Sequence, residues 1–350
     1  MGGFKWDTHA GLFFRSLLGP GLPKQYLRAD TQRVTLVYFC VTGLDLLGKL
    51  GNLSEAERAA VKSWVLAQQV LPAGGGWRRC GFRGGPFGGC PNAGSSAAGD
   101  GNEMDEGNLA MTYSALATLV ALGDDLADVD GEAIVRALQS LQEEDGSFRA
   151  SPSDATRDLR FTYCACAVSS ILDNWNGVNR TTAMAYIGRC YDFDGGIGLA
   201  PGRESCAGPT YCAVASMQLL GVLETLAPNR REGLVEWCVN RQIAGFQSRP
   251  NKPTDSCCSF WVGATLAIFG GQHLPDWALA REFHLSCQSR VLGGFSRVPG
   301  MPPDLLHSFY SLCGLSISEE AGVEKMDVAL GISKRACLRL GSRPRVGRAL

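Results

Sequence analysis

The chain has no excess of either charge: 33 Lys and Arg stand against 34 Asp and Glu, a formal net charge of -1 with a pI near 6.4. A protein whose main task is to grip nucleic acid or an anionic membrane surface is thereby excluded, and any basic site has to be local. There is no run of eighteen apolar residues, so no transmembrane helix is expected. The opening MGGFKWDTHAGLFF carries no signal-peptide pattern and lacks the Ser or Thr at position six of a myristoylation signal. Histidine is scarce, with four in 350 residues, and His9, His273 and His284 read as ordinary surface or core histidines.

What is plentiful is cysteine, glycine and apolar side chain. The 14 cysteines are spread over a long chain with no secretory pattern, so they read as reduced thiols in a cytoplasmic protein and not as a disulfide framework. A hydrophobic content of 45% over 350 residues supports either two ordinary domains or one large closed architecture. Internal periodicity decides between them. A glycine running into a large apolar residue recurs at Phe148, Ile197, Phe246 and Phe295, each 49 positions from the last. A second series, Tyr113, Tyr163, Tyr211, Trp261 and Tyr310, follows in phase at intervals of 50, 48, 50 and 49.

Each unit holds two segments of different helical character. In the first, Ile134, Leu138 and Leu141 share one stripe while Glu132, Arg136 and Gln139 lie off it, the pattern of an outer helix with one buried face. The second is apolar nearly all round, as in LAMTYSALATLVAL from Leu109, the pattern of an inner helix buried on both sides. Loops of roughly fifteen residues lead from outer to inner helix, and the returns are short, as at Gly123-Asp124-Asp125. Five or six such hairpins without polar end caps predict an all-α fold closed into an α/α barrel, one domain over residues 1–318. A glycine-dense stretch at about 71–108 reads as a surface insertion. Residues 319–350, with Lys334, Arg335, Arg339, Arg343, Arg345 and Arg348, read as a basic tail, disordered or partner-binding.

The chemistry gathers in the fourth and fifth loops. Superposing RPNKPTDSCCSFW from Arg249 on PPDLLHSFY from Pro302 by their aromatic markers puts Asp304 on Asp255 and His307 on Cys258, all at the starts of adjacent inner helices. Asp255, Cys257 and His307 thus form a candidate zinc site, and three protein ligands with a fourth position open are the arrangement of a catalytic zinc. The Asp-x-Cys step alone is common by chance; His307 in register one repeat on gives it weight. Arg249, Lys252 and Arg297 bring three cations to the same mouth, where helix N-termini also favour a diphosphate. The aromatics inside the ring, Tyr113, Tyr163 and Trp261, are core by default. A zinc and cations at the rim turn them into the walls of a slot for a long hydrocarbon with an anionic head.

RVTLVYFCVTGLDLL from Arg33, RCGFRG from Arg79, LRFTYCA from Leu159, RPNKPTDSCCSFWVGATL from Arg249 and PDLLHSFYSLCGLS from Pro303 resemble the protein prenyltransferase β subunits, nearest those of the type I geranylgeranyl enzymes. The resemblance runs from about Phe13 to Ser318. It implies an α/α barrel, one zinc on Asp255, Cys257 and His307, and diphosphate contacts at Arg249, Lys252 and Arg297. It also implies a prenyl channel at Thr35, Phe39, Tyr113, Arg160, Tyr163, Cys212, Trp261 and Leu306. An α subunit, geranylgeranyl diphosphate and CaaX proteins ending in Leu, such as Rho- and Rac-like GTPases, are the implied partners. Where farnesyltransferases place a large aromatic this chain has Thr35, which implies a twenty-carbon chain. Where they place a carboxylate for magnesium it has Arg297, which implies independence from that ion.

The resemblance breaks at two places. Cys206 stands where the family has His and Cys258 where it has Tyr, both donors to the diphosphate. A thiol is a poor donor, and removing one such hydrogen bond from a transition state costs about 3 to 4 kcal/mol. A weak enzyme, a non-catalytic lipid- or partner-binding subunit, and entry of either thiol into the zinc sphere all remain open readings. Farnesyl transfer is opposed by Thr35. A terpene cyclase is opposed by the lack of an Asp-x-Asp-Asp motif, since Asp128-Val129-Asp130 runs into Gly131 as a turn.

Overall fold

The computed structural model describes residues 3–72, 76–86 and 105–341. The inner helices are α2 (Arg33–Leu46), α4 (Leu109–Ala121), α6 (Leu159–Ile171), α8 (Ala207–Leu219), α10 (Cys258–Ile268) and α12 (Leu305–Ile317). Each packs on the next and α12 returns to α2, so the ring closes. Their all-round apolar sequences leave almost no exposed residue in α4, α6 or α8. The outer helices are α3 (Glu55–Leu66), α5 (Gly131–Leu141), α7 (Arg180–Arg189), α9 (Pro228–Val239) and α11 (Trp277–Cys287). The sixth is supplied from the start of the chain by α1 (Trp6–Leu18), whose buried His9 accepts through Nδ1 from the Gly294 N–H at 2.8 Å. As the periodicity predicts, Ile134, Leu138 and Leu141 of α5 are buried and Glu132, Arg136 and Gln139 exposed.

The repeated glycine-apolar step proves to be the anchor of each long loop. Phe148, Ile197, Phe246 and Phe295 are at most 1% exposed. Each bridges back to a residue one to three positions past the end of the preceding outer helix: Gln142, Tyr191, Gln242 and Gln288. The glutamines also tie successive outer helices together. Gln142 Oε1 accepts from Asn179 N at 2.7 Å, and Gln242 Oε1 from Asp276 N at 2.8 Å, satisfying donors at the caps of α7 and α11.

The insertion is narrower than the glycine-dense stretch suggests. Strand β1 (Gln69–Val70) pairs antiparallel with β2 (Gly81–Phe82), and Phe82 is fully buried, so Gly81-Phe82 is the anchor step of the first unit. It lies 31 residues before Tyr113, against 14 or 15 in the other units, which places the extra length after Phe82. Residues 87–104, which carry that length, lie outside the described residues.

The tail differs more. Residues 319–341 fold under the barrel, at the C-terminal ends of the inner helices. Strands β3 (Met326–Asp327) and β4 (Ile332–Ser333) form a hairpin and Lys334–Gly341 a final helix, α13. The hairpin tip enters the ring, where Tyr38, Tyr113, Tyr163 and Tyr211 donate to the carbonyls of Gly331 (2.7 Å), Leu330 (2.8 Å), Ala329 (3.1 Å) and Val328 (3.0 Å). Buried carbonyls need such partners, and four inner helices supply one hydroxyl each. Gly331 has φ +66° and lies so close to the tyrosines that a Cβ would meet Tyr113 Oη at 2.8 Å. Buried Asp45 at the end of α2 latches the segment by accepting from Ser333 and pairing with Arg335. The disordered-tail expectation is therefore corrected over 319–341; Arg343, Arg345 and Arg348 lie outside the described residues.

Candidate metal and anion site at the barrel mouth

The loops of the fourth and fifth units are stitched together before α10 and α12 begin. Ser256 N donates to Arg297 O at 3.0 Å and Ser256 Oγ to Ser296 O at 2.8 Å, while Asp255 N donates to Phe246 O at 2.9 Å. These bonds set Asp255 beside Arg297, whose Nε donates to Asp255 Oδ2 at 2.7 Å. The other oxygen, Oδ1, accepts from Cys257 N at 3.1 Å and lies 3.5 Å from His307 Nε2.

Asp304 caps α12 by accepting from His307 N at 2.9 Å, and its Oδ2 holds His307 Nδ1 at 2.6 Å. That second contact turns Nε2 toward Asp255 and Cys257, as an outer carboxylate does for a metal-binding imidazole. Donor atoms of Asp255, Cys257 and His307 all lie within 4.8 Å of one another. Ligand bonds of about 2.0 to 2.3 Å in a tetrahedron require separations of about 3.3 to 3.8 Å, so a small contraction seats a zinc. The donor set, one carboxylate, one thiol and one imidazole with its far nitrogen already held, fits that ion.

The three candidate ligands shift one another's proton affinities. Burial pushes the His307 imidazole down, but Asp255, Asp304 and Cys257 outweigh it and raise its pKa to about 11. Burial likewise pushes the Asp255 carboxyl up, while hydrogen bonds from His307 and Cys257 bring it to about 2. A hydrogen bond with Cys258, then burial, holds the Cys257 thiol well above the usual thiol range.

Of the three cations, Arg297 is in direct contact with the candidate metal triad, through Asp255. Arg249 pairs with Glu204 at 3.2 Å and Lys252 is exposed. Cys206 occupies the N-cap position of α8, where Asn108, Asp158 and Asp304 cap α4, α6 and α12 with their side chains; it makes no such bond. Burial raises its pKa against the opposing influence of the Gly208 backbone N–H and then of nearby Arg249. Cys258 is 1% exposed and packs among Trp237, Cys238, Phe246, Val262 and Leu266. Among the described residues, the group of donor atoms able to hold a metal contains neither thiol.

Inside the mouth, Phe39 packs on Phe309 (5.4 Å between ring centres) and Tyr310 (5.7 Å), and Trp261 packs on Tyr310 (4.3 Å) and Tyr211 (5.4 Å). Tyr113 and Tyr163 continue the belt at 5.5 Å, their hydroxyls committed to the floor. Thr35 is half-buried, 3.2 Å from Ser114 Oγ, and Cys212 is buried. Arg160 pairs with Asp158 at 2.7 Å and keeps 58% of its side chain exposed, and Leu306 is 40% exposed beside His307. Sequence reasoning missed the clasp of Asp304 on His307 and of Arg297 on Asp255. An Asp three residues before a His at a helix start was the available signal for the first.

Comparison with known proteins also returns an α/α toroid of this kind. The prenyltransferase alpha-alpha toroid domain family matches residues 4–332, and the chain belongs to that family of prenyltransferase enzyme subunits. Within it, the geranylgeranyl transferase type-1 subunit beta of Arabidopsis thaliana is 37% identical over 343 residues, covering 94% of this chain and 89% of that protein. The Dictyostelium discoideum geranylgeranyl transferase type-1 subunit beta is 38% identical over 336 residues, covering 93% and 94%. Candida albicans protein geranylgeranyltransferase-I complexed with GGPP shares the fold, with a TM-score of 0.84 over 97% of this chain and 99% of that one at 23% identity.

Proposed function

We propose that this chain is the catalytic β subunit of a type I protein geranylgeranyltransferase, moving a geranylgeranyl group from its diphosphate to the cysteine thiol of a C-terminal CaaX sequence ending in Leu. The observation that carries this is the convergence of Asp255, Cys257 and His307, with Arg297 in contact, at the mouth of an aromatic-lined barrel. A zinc ion held by those three residues supplies a Lewis acid that makes the substrate thiol acidic.

The chain's own residues account for the rest. Arg249, Lys252 and Arg297 receive the diphosphate and the charge that grows on it as its bond to C1 breaks and the carbon–sulfur bond forms, the thiol proton passing to solvent. Arg297, a fixed cation, makes magnesium dispensable. Phe39, Tyr113, Tyr163, Cys212 and Trp261 line the hydrocarbon slot, with Arg160 and Leu306 at its entrance. Thr35 leaves room for a fourth isoprene, whose five carbons at about 0.8 kcal/mol each stabilise the longer chain by about 3 to 4 kcal/mol. An α subunit completes the enzyme as a heterodimer, the working compartment is the cytoplasm, and Rho- and Rac-like proteins are the substrate class.

The alternative, a lipid-binding subunit without transfer, is favoured by one observation: Cys206 leaves its position without a strong donor. Single-turnover transfer to a Cys-a-a-Leu peptide by the chain co-expressed with an α subunit decides the matter. Product formation that requires one zinc and falls by about a thousandfold in Cys257→Ala supports the enzyme. Stoichiometric lipid and zinc binding without product supports the alternative.

A further inference from the structure

We propose that Arg297 is a positioning residue for the metal carboxylate: it pins Asp255 so that Oδ1 alone turns toward the metal, while the other edge of the same guanidinium stays open to an anion. The inference rests on the proposed zinc site and adds a role that diphosphate binding does not require.

The contact is a built one. Arg297 Nε donates to Asp255 Oδ2 at 2.7 Å, and the Asp255 side chain is only 10% exposed, so little water competes for that oxygen. Oδ1 is left to face His307 Nε2 at 3.5 Å and the Cys257 N–H at 3.1 Å. The two loops cannot drift apart easily, because Ser256, the residue after Asp255, is hydrogen-bonded through N to Arg297 O at 3.0 Å and through Oγ to Ser296 O at 2.8 Å. Yet the Arg297 side chain is 65% exposed, which leaves its Nη edge accessible.

A planar guanidinium presents donors along two edges in fixed geometry, and so can hold a carboxylate on one side and a phosphate oxygen on the other. An ammonium is a point donor on a flexible stem and cannot fix both directions at once. Arginine at this position therefore links the orientation of a metal ligand to the anion site. Freed from Arg297, the Asp255 carboxylate can rotate and offer both oxygens to the ion.

The test uses the heterodimer with its α subunit and no prenyl donor, and reads zinc affinity by competition with a chromophoric chelator. Arg297→Gln is expected to weaken zinc binding about tenfold or more, the usual cost of removing an outer partner of a metal ligand. Arg297→Lys, which keeps the charge, is expected to remain weakened. With cobalt(II) in place of zinc, the parent is expected to show the intense visible bands of a four-coordinate ion, and Arg297→Gln to lose intensity as the second carboxylate oxygen joins. Zinc affinity within twofold of the parent and superimposable cobalt spectra would overturn the positioning role while leaving the zinc site itself intact. A parent protein whose zinc binding does not depend on Cys257 would overturn both.

Discussion

The two ends of the barrel treat polar groups in opposite ways. At the floor, four tyrosine hydroxyls meet four carbonyls in order around the ring, and Asp45 is matched by Ser333 and Arg335. At the mouth, a carboxylate, an imidazole, a thiol and a guanidinium are pressed together, and their mutual contacts raise His307 to about 11 and lower Asp255 to about 2. The floor satisfies those carbonyls and Asp45 within the chain. The mouth gathers a donor set that fits a cation, and such candidate sites are where local rules of polar satisfaction are expected to bend.

The contrast is sharpest in its response to pH. In the metal-free site at pH 7, His307 carries a proton because its pKa lies near 11, and the Cys257 thiol is likewise protonated, whereas Asp255 is ionised. Binding zinc therefore displaces close to two protons, so zinc affinity should rise about a hundredfold per pH unit between pH 6 and 8 and fall equally with acid. Isothermal titration in buffers of different ionisation enthalpy counts those protons; a pH-independent affinity would mean the triad is not the site.

A smaller effect separates the two unusual thiols. Cys206→His restores a donor at the α8 N-cap, and single-turnover rates should rise about tenfold. Cys258→Tyr forces a ring into the packed cluster around Trp237 and Phe246, and denaturant unfolding should show a loss of about 1 to 3 kcal/mol in place of a gain in rate. At the floor, Gly331→Val meets the tyrosine hydroxyls at positive φ and should cost a similar 1 to 3 kcal/mol by the same measurement, with zinc affinity unchanged.

How much of this was legible in the sequence follows from what repeats. The 49-residue period exposed the ring, because every unit buries the same anchor and presents the same inner face. The first anchor, Phe82, escaped because the extra residues before Asn108 break its spacing. The floor escaped for a different reason: residues 326–333 carry no repeat, and their fit depends on four distant tyrosines.

In the site, register identified the candidate donor residues, which the fold brings together, but not their clasps. Asp304 is the one-period counterpart of Asp255, yet α12 has Asp304 itself as N-cap while α10 has Cys257 in that position, two residues after Asp255. The shift turns one aspartate into a cap that orients His307 and frees the other to face Cys257 and His307. By the same offset Cys258, the counterpart of His307, points into the core.

Anomalous diffraction at the zinc edge, from crystals of the chain bound to its α subunit, tests the central claim most directly. One peak per β subunit is expected, bounded by Asp255 Oδ1, Cys257 Sγ and His307 Nε2 with a fourth position open. A peak elsewhere, or one closed by the sulfur of Cys206 or Cys258, would contradict it.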